Sequence, residues 1–257
     1  MITIGNYVKA ESLQQAWELN QKKSSRILGG MLWLKLGRGR VGTAIDLSGL
    51  GLDTVEETET EFSIGAMATL RQLELHEGLN AFTGGAVKAA VKDIVGVQFR
   101  NMATVGGSLW GRFGFSDVLS VFLALDSYVE LYKGGIVPLR EFAKMPYDRD
   151  ILVRLIVKKE AVQCVYQSVR ITKTDFPVLT CAAAKREGGW RFVYGARPGR
   201  AVCLDLPLDK TAEELSDIAA DTVTVGSNIR GSAAYRRKLV KTLTRRGAEA
   251  LGGGKTC

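Results

Sequence analysis

The stretch that decides the reading is Gln98-Phe99-Arg100-Asn101-Met102-Ala103-Thr104-Val105-Gly106-Gly107-Ser108, followed after a short loop by Ser116-Asp117. Ala103 to Leu109 reads as a short strand that breaks at a glycine pair. A second pair lies upstream in Ile27-Leu28-Gly29-Gly30-Met31-Leu32, directly after a strand-like Arg26–Leu28. Glycine lets a backbone approach a ligand closely, and consecutive N–H groups in such turns form an anion-binding concavity. Two such loops facing each other would hold a pyrophosphate without a lysine. Either pair alone reads first as turn punctuation. Neither fits GxGxxG or GxxxxGK[ST], so a Rossmann or P-loop nucleotide site is not supported.

Outward from these loops the chain alternates. A helix is expected over Ser12–Asn20, strands over Ala44–Leu47 and Phe62–Ala66, and an acidic turn or exposed edge over Glu56–Glu61. Thr69 is a fair N-cap for a helix through Leu75. Helices follow over Ala86–Val95 and Asp117–Leu125, with a strand over Tyr128–Tyr132. From Ile151 the texture becomes strand after strand: Ile151–Val157, Val162–Val169, Val178–Ala184 and Trp190–Gly195. Thr211–Ala220 and Ala233–Ala250 close the chain as helices, and Lys158-Lys159-Glu160 is a plausible boundary.

Composition narrows the function classes. The 257 residues are 46% hydrophobic and 24% charged, enough for a sizeable core and against disorder. No apolar run approaches the roughly 18 residues of a membrane helix. The start, MITIGNYVKAESL, lacks a basic segment followed by an apolar one, so no signal peptide is expected. Cys164, Cys181, Cys203 and Cys257 are widely spaced without a CxxC, which speaks against a zinc site or iron–sulfur cluster on this chain and for reduced thiols in the cytoplasm. Cys164 and Cys181 lie in apolar strands and read as buried and inert. The single histidine, His76, leaves no room for a Ser-His-Asp triad and reads as a surface or capping residue. No catalytic and no metal-ligating residues are assigned. The net charge is +8, but residues 1–100 are neutral while residues 221–257 hold 8 basic and 2 acidic residues. The excess belongs to the last helix, expected to pack by Tyr235, Leu239 and Leu243 with a solvated basic face. A nucleic-acid-binding role is the lesser alternative.

The string from Gln98 to Asp117 resembles the FAD-binding medium subunit of molybdenum hydroxylases, the group of xanthine dehydrogenase and carbon monoxide dehydrogenase. There the pattern runs approximately Q-x-R-N-x-A-T-[IV]-G-G-N with an Asp closing the loop. Ile27–Leu32 lies where that family has A-G-G-T-D-L. Asp175-Phe176-Pro177, Gly195-Ala196-Arg197-Pro198 and Arg230-Gly231-Ser232-Ala233-x-Tyr235-Arg236 resemble its C-terminal domain. The resemblance runs from about residue 3 to about residue 250. It implies an α+β architecture: a two-subdomain, vanillyl-alcohol-oxidase-like FAD-binding domain over 1–158, split near 55, then a smaller α+β domain with an antiparallel sheet over 161–253. It implies electron transfer through FAD to an acceptor, with NAD expected, oxygen or a quinone left open, and with a molybdopterin-binding large subunit and an iron–sulfur small subunit as cytoplasmic partners. Nucleic acid and membrane are not expected partners.

By the same resemblance, Ile27, Leu28, Gly29, Gly30, Met31 and Leu32, with Ala103, Thr104, Val105, Gly106, Gly107 and Ser108, would surround the pyrophosphate, their backbone N–H groups donating and Thr104 adding a hydroxyl. Asp117 would hold a ribose or ribityl hydroxyl, and Leu152 would pack on the flavin ring. Asp117 reads equally well as the N-cap of the helix beginning at Val118. The sequence departs from the pattern at Met31-Leu32 (usually Thr-Asp), at Ser108 (usually Asn), in Gly111-Arg112-Phe113-Gly114-Phe115 (usually a small loop), and near Gln167-Ser168, where a lysine is often found. Arg112 would either reach the phosphates or point to solvent. Lost side-chain bonds leave a second reading open, a scaffold subunit that binds FAD poorly.

Overall fold

In the computed structural model, residues 1–252 are described; the tail from Gly253 and Cys257 lie outside them. The chain forms two compact units that interleave in sequence. The first comprises Met1–Gln72, Val97–Gly111 and Ser127–Val157; the second comprises Leu73–Gly96, Arg112–Asp126 and the chain from Lys158 onward.

The first unit holds two sheets. β1 (Ile2–Lys9), β2 (Ser25–Leu28) and β3 (Gly39–Asp46) form a parallel sheet in the order β1-β3-β2. The helix α1 (Leu13–Asn20) starts at Ser12, whose hydroxyl accepts from the Gln15 N–H, and buries Ala16 against Ile45, Leu47, Leu52, Ile151 and Val153. The second sheet has the order β4-β5-β8-β6-β7, from β4 (Val55–Glu57), β5 (Glu61–Gly65), β6 (Ser127–Leu131), β7 (Gly135–Pro138) and β8 (Leu152–Lys158). The acidic Glu56–Glu61 segment is thus half edge strand and half turn. The helix α2 (Leu70–Leu75) begins with a reciprocal cap: Thr69 Oγ1 accepts from the Gln72 N–H, and the Gln72 side chain accepts from the Thr69 N–H. Of the short helices that follow, α5 (Val97–Arg100) and α6 (Val105–Trp110) belong to this unit, and α3 (Glu77–Phe82) and α4 (Ala86–Val91) to the second. His76 is the N-cap of α3, its Nδ1 accepting from the Leu79 N–H at 3.1 Å.

The glycine string is a helix start, where a strand was expected. Thr104 is the N-cap of α6, its hydroxyl accepting from the Gly107 N–H at 3.1 Å, so Val105-Gly106-Gly107 are the first turn. Glycine is tolerated there because the capping bond and surrounding packing outweigh its low helix propensity, about 1 kcal/mol per residue.

The second unit is an antiparallel sheet, β12-β11-β10-β9, made of β9 (Val162–Arg170), β10 (Pro177–Arg186), β11 (Gly189–Gly195) and β12 (Val202–Leu206). One face packs the closing helices α9 (Ala212–Thr222) and α10 (Ala233–Gly252) through Leu179, Cys181, Ala183, Phe192, Tyr194, Leu215, Val240 and Leu243. The helix α7 (Asp117–Ala124) also packs on β10 and β11, with every residue buried; α8 (Leu139–Phe142) belongs to the first unit. A helix apolar all round is what full burial requires. β10 is buried from Pro177 to Ala184, which explains its unbroken apolar run. Burial pushes the Cys164 thiol up to about 12 and raises that of Cys181 further, which keeps both protonated.

The last helix packs otherwise than expected. Leu239 and Leu243 are buried, but Tyr235 is 46% exposed, and its neighbour Arg236 is fully buried. The Arg236 guanidinium donates to the carbonyls of Val178 (2.8 Å), Gly226 (2.9 Å) and Gly231 and to Asn228 Oδ1 (2.6 Å). Basic charge on the exposed face is answered in part by α9: Lys241 pairs with Asp217 and Glu213. Arg236→Met should lower stability by about 3 kcal/mol, because four acceptors, the buried Val178 carbonyl among them, lose a charged donor. Arg236→Lys should recover little, since a point charge cannot fan to four acceptors. Urea unfolding of both variants checks this.

Candidate cofactor site

The first unit brings the two glycine loops together. β2 ends at Leu28, paired with Asp46, and the chain leaves the sheet at Gly29. A Cβ on Gly30 would lie 1.8 Å from the Met102 carbonyl oxygen, and one on Gly29 would lie 2.7 Å from Thr104 Oγ1. Gly106 sits against Ala66 in the same way: its added Cβ would meet the Ala66 oxygen at 2.7 Å, the oxygen that its own N–H bonds at 2.8 Å. These glycines are needed because backbone packs on backbone. Gly107 has more room, with only Thr104 Oγ1 at 3.1 Å.

The hydrogen bonds separate the two loops. In the second, Val105 N–H donates to the Ala68 carbonyl (2.8 Å), Gly106 N–H to Ala66, Gly107 N–H to Thr104 Oγ1 and Ser108 N–H to the Thr104 carbonyl (3.1 Å). These donors, expected to face a pyrophosphate, are engaged within the chain. In the first loop, no hydrogen bond among the described residues reaches the N–H of Gly30, Met31 or Leu32. Met31 takes φ 58°, a left-handed conformation costing a non-glycine residue about 1–2 kcal/mol. Strain of this kind collects at ligand-holding turns. The Met31 side chain packs with Leu28, Val41, Ala44, Ile2 and Leu34, so the residue that departs from the family pattern has joined the core. Thr104 Oγ1 accepts from Gly107 and keeps its own proton to donate. The half-buried loop thus offers adjacent N–H donors beside a hydroxyl, a donor set that fits a pyrophosphate. Ile27 and Leu28 lie in β2 behind it; Ala103 and Leu152 are 8% and 5% exposed, Leu152 opposite Leu131 in the sheet.

Asp117, in the second unit, is the first residue of α7 and not its cap. Ser116 is the cap, its hydroxyl accepting from the Leu119 N–H at 3.1 Å. Asp117 Oδ1 accepts from the Tyr166 hydroxyl and from Arg170 Nη2 at 2.5 Å, and the Asp117 and Arg170 side chains are 7% and 8% exposed. Burial raises the carboxyl to about 6, and the Arg170 charge and Tyr166 hydrogen bond work against that rise. Tyr166 and Arg170 were not singled out in the sequence. Their only signal is spacing: Tyr166, Ser168 and Arg170 alternate along β9 and so share one face of the strand.

The other motif segments meet near this cluster. Arg170 Nη1 donates to the Asp175 carbonyl at 2.5 Å, and Arg230 pairs with the Asp175 carboxylate at 3.2 Å while lying 5.1 Å above the Phe176 ring. Phe176 packs edge-on to Phe115, which stacks on Phe113. The Ala196 N–H donates to the Gly114 carbonyl at 2.6 Å, and Arg112 is 5% exposed rather than solvated. The unusual 111–115 loop is therefore built into its unit by ring stacking.

This chain combines a parallel βαβ element carrying a glycine loop with an antiparallel sheet flanked by helices, the architecture of a flavin-binding subunit. The model of the FAD-binding domain in molybdopterin dehydrogenase matches residues 3–159, and the chain belongs to that family. Its cofactor is FAD, and it is an oxidoreductase component of the molybdopterin dehydrogenase kind. It is 26% identical over 247 residues to the YgfM protein of Escherichia coli K12, covering 93% of each chain. It is 26% identical over 268 residues to the glyceraldehyde dehydrogenase medium chain of Sulfolobus acidocaldarius, covering 93% of this chain and 95% of that one. Its fold superposes on a chain of the carbon monoxide dehydrogenase of Hydrogenophaga pseudoflava with a TM-score of 0.82 at 19% identity, covering 95% and 96% of the two chains. Among the described residues no helix is long and apolar enough to cross a membrane.

Two outcomes test the site as drawn. Gly30→Ala should destabilise the protein by about 1–3 kcal/mol through steric overlap, while Gly107→Ala should cost less; thermal denaturation of the two variants compares them. For Asp117 the native-state pKa of about 6 lies above the ordinary 3.8, so the native state holds that proton more tightly than the unfolded chain. Its contribution to stability is full below about pH 4 and is lost as pH rises through 6. Asp117→Asn, which cannot titrate, should remove that fall between pH 4 and 6 in denaturant melts.

Proposed function

We propose that the chain carries electrons from iron–sulfur clusters of a small partner subunit to a soluble acceptor, NAD, within a cytoplasmic complex whose molybdopterin-binding large subunit oxidises the organic substrate. The family match and the relative that is itself named a medium chain support a heteromeric setting. The observation that carries the reading is the set of three adjacent N–H groups, at Gly30, Met31 and Leu32, that no hydrogen bond among the described residues reaches, in the loop whose Gly29 lies against the Thr104 hydroxyl. FAD, when bound, supplies the redox chemistry, accepting electrons singly and releasing them as a pair. The chain's own work is binding and orientation. Gly29 to Leu32 donate to the pyrophosphate, and Thr104 adds a hydroxyl donor. Ala103 to Ser108 form the wall against which the first loop is set, with Ile27 and Leu28 fixing its stem. Asp117 accepts from a cofactor hydroxyl, and Leu152 offers an aliphatic contact to the flavin ring. No side chain of this polypeptide is assigned to move a proton. In sequence terms we divide the chain into a cofactor domain over 1–158, with subdomains meeting near 55, and a C-terminal domain over 161–253. The end of the family match at residue 159 supports that division.

Purified protein should be yellow, with the absorption of bound flavin, and FAD added at 100 times Kd should stabilise it by about 2.7 kcal/mol, read as a rise in Tm. Folded protein that is colourless and shows no shift would favour the scaffold reading. In the assembled complex, substrate-dependent reduction of NAD against oxygen and a quinone decides the acceptor.

A further inference from the structure

Tyr166 and Arg170 share one face of β9, and both place their donors on a single oxygen of Asp117. We propose that Tyr166 and Arg170 are positioning residues for the cofactor: they hold the Asp117 carboxylate by Oδ1 so that Oδ2 is presented, ionised and fixed, to a hydroxyl of FAD. This rests on the reading of Asp117 as a cofactor contact.

The geometry favours this over a purely structural ion pair. A carboxylate offers about four acceptor positions on two oxygens. Here both side-chain donors take Oδ1, and, the residue's own backbone N–H aside, no other side chain among the described residues reaches Oδ2. Arginine–carboxylate pairs frequently engage both oxygens of the carboxylate with two arms of the guanidinium. Instead Arg170 gives its other nitrogens away: Nε donates to Ser168 Oγ at 3.3 Å and Nη1 to the Asp175 carbonyl. The guanidinium is thus held at three points, and only one of them is Asp117. Tyr166 is braced in turn by Thr180, whose hydroxyl bonds Ser120 Oγ (3.2 Å) and the Gly195 N–H (2.9 Å). Carboxylate, tyrosine and arginine are all buried, so none reorients without breaking bonds on α7, β9 and β10. Burial alone would favour the protonated acid, which would donate through one oxygen instead of accepting; the Arg170 charge opposes this. The arrangement also supplies, from β9, a cation on the strand where the lysine of the family pattern is missing.

The test measures FAD affinity of the full-length apoprotein by quenching of flavin fluorescence, with circular dichroism and Tm of each apo variant alongside. Arg170→Gln should weaken FAD binding about ten- to hundredfold, the value of a hydrogen bond to a charged group. Arg170→Lys, which keeps the charge, should recover part of the loss, and Tyr166→Phe, which removes only a hydroxyl, should cost about three- to tenfold. Because Arg170 acts through Asp117, Asp117→Asn combined with Arg170→Gln should bind FAD within about twofold of Asp117→Asn alone. Should Arg170→Gln fail to fold, Tyr166→Phe and its combination with Asp117→Asn carry the same comparison. Wild-type affinity in folded Arg170→Gln or Tyr166→Phe, or losses that add fully in the double variant, would overturn the proposal. Wild-type affinity in Asp117→Asn, or wild-type protein that takes up no FAD, would instead remove the reading beneath it.

Discussion

The first unit depends on the absence of side chains where backbones touch. Gly30 lies so close to the Met102 carbonyl that a methyl group would overlap it, and Gly106 lies so close to Ala66 that the same contact distance serves as a hydrogen bond. The first contact holds the turn after β2 against the segment that leads into α6, and the second holds α6 against the end of β5. Once they are made, the second loop spends its N–H groups on its own chain, and the first loop keeps its own. Chemistry is thus divided between two glycine pairs that look alike in sequence. One pair is a wall and the other a cradle, a distinction that follows from which carbonyl happens to lie within reach.

Electrostatics organises the second unit. Asp117, Arg170, Asp175 and Arg230 alternate in sign through direct contacts, and the rings of Phe113, Phe115 and Phe176 pack on one another beside them. The Asp117 and Arg170 side chains are buried, so each depends on the other more than it would at the surface, whereas Asp175 and Arg230 pair where water still reaches them. The departures from the family pattern fit this account. Phenylalanines in the 111–115 loop stack within the unit, and Met31 fills an apolar gap.

Much was legible beforehand. The antiparallel meander from Val162, the cap at Thr69, the closing helix near Thr211, the buried thiols and the membership of a flavoprotein family all followed from local patterns, because alternation, caps and motif spacing are encoded within a few residues. Boundaries and single roles were less so. Ala103–Leu109 read as a strand because its apolar residues are short and interrupted by glycine, yet the Thr104 hydroxyl, by bonding the Gly107 N–H, starts a helix there. Tyr235 read as the packed residue of the last helix, yet Arg236 took the buried place, since the Val178 carbonyl of β10 and three acceptors at Gly226, Asn228 and Gly231 were there to receive it.

The sequence by itself determined the class of protein, its cofactor family, and which segments carry glycine, acid or arginine at the right spacing. Those are properties of residue type and interval, and they survive without coordinates. Only the tertiary structure decided which N–H groups stay available, that Ser116 rather than Asp117 caps α7, and that Tyr166 and Arg170 converge on Asp117 from a strand 49 and 53 residues away. Each of these is a question of which donor meets which acceptor across long sequence separations. Hydrogen bonds are satisfied by proximity in space, and proximity is set by the packing of whole elements rather than by any local run of residues.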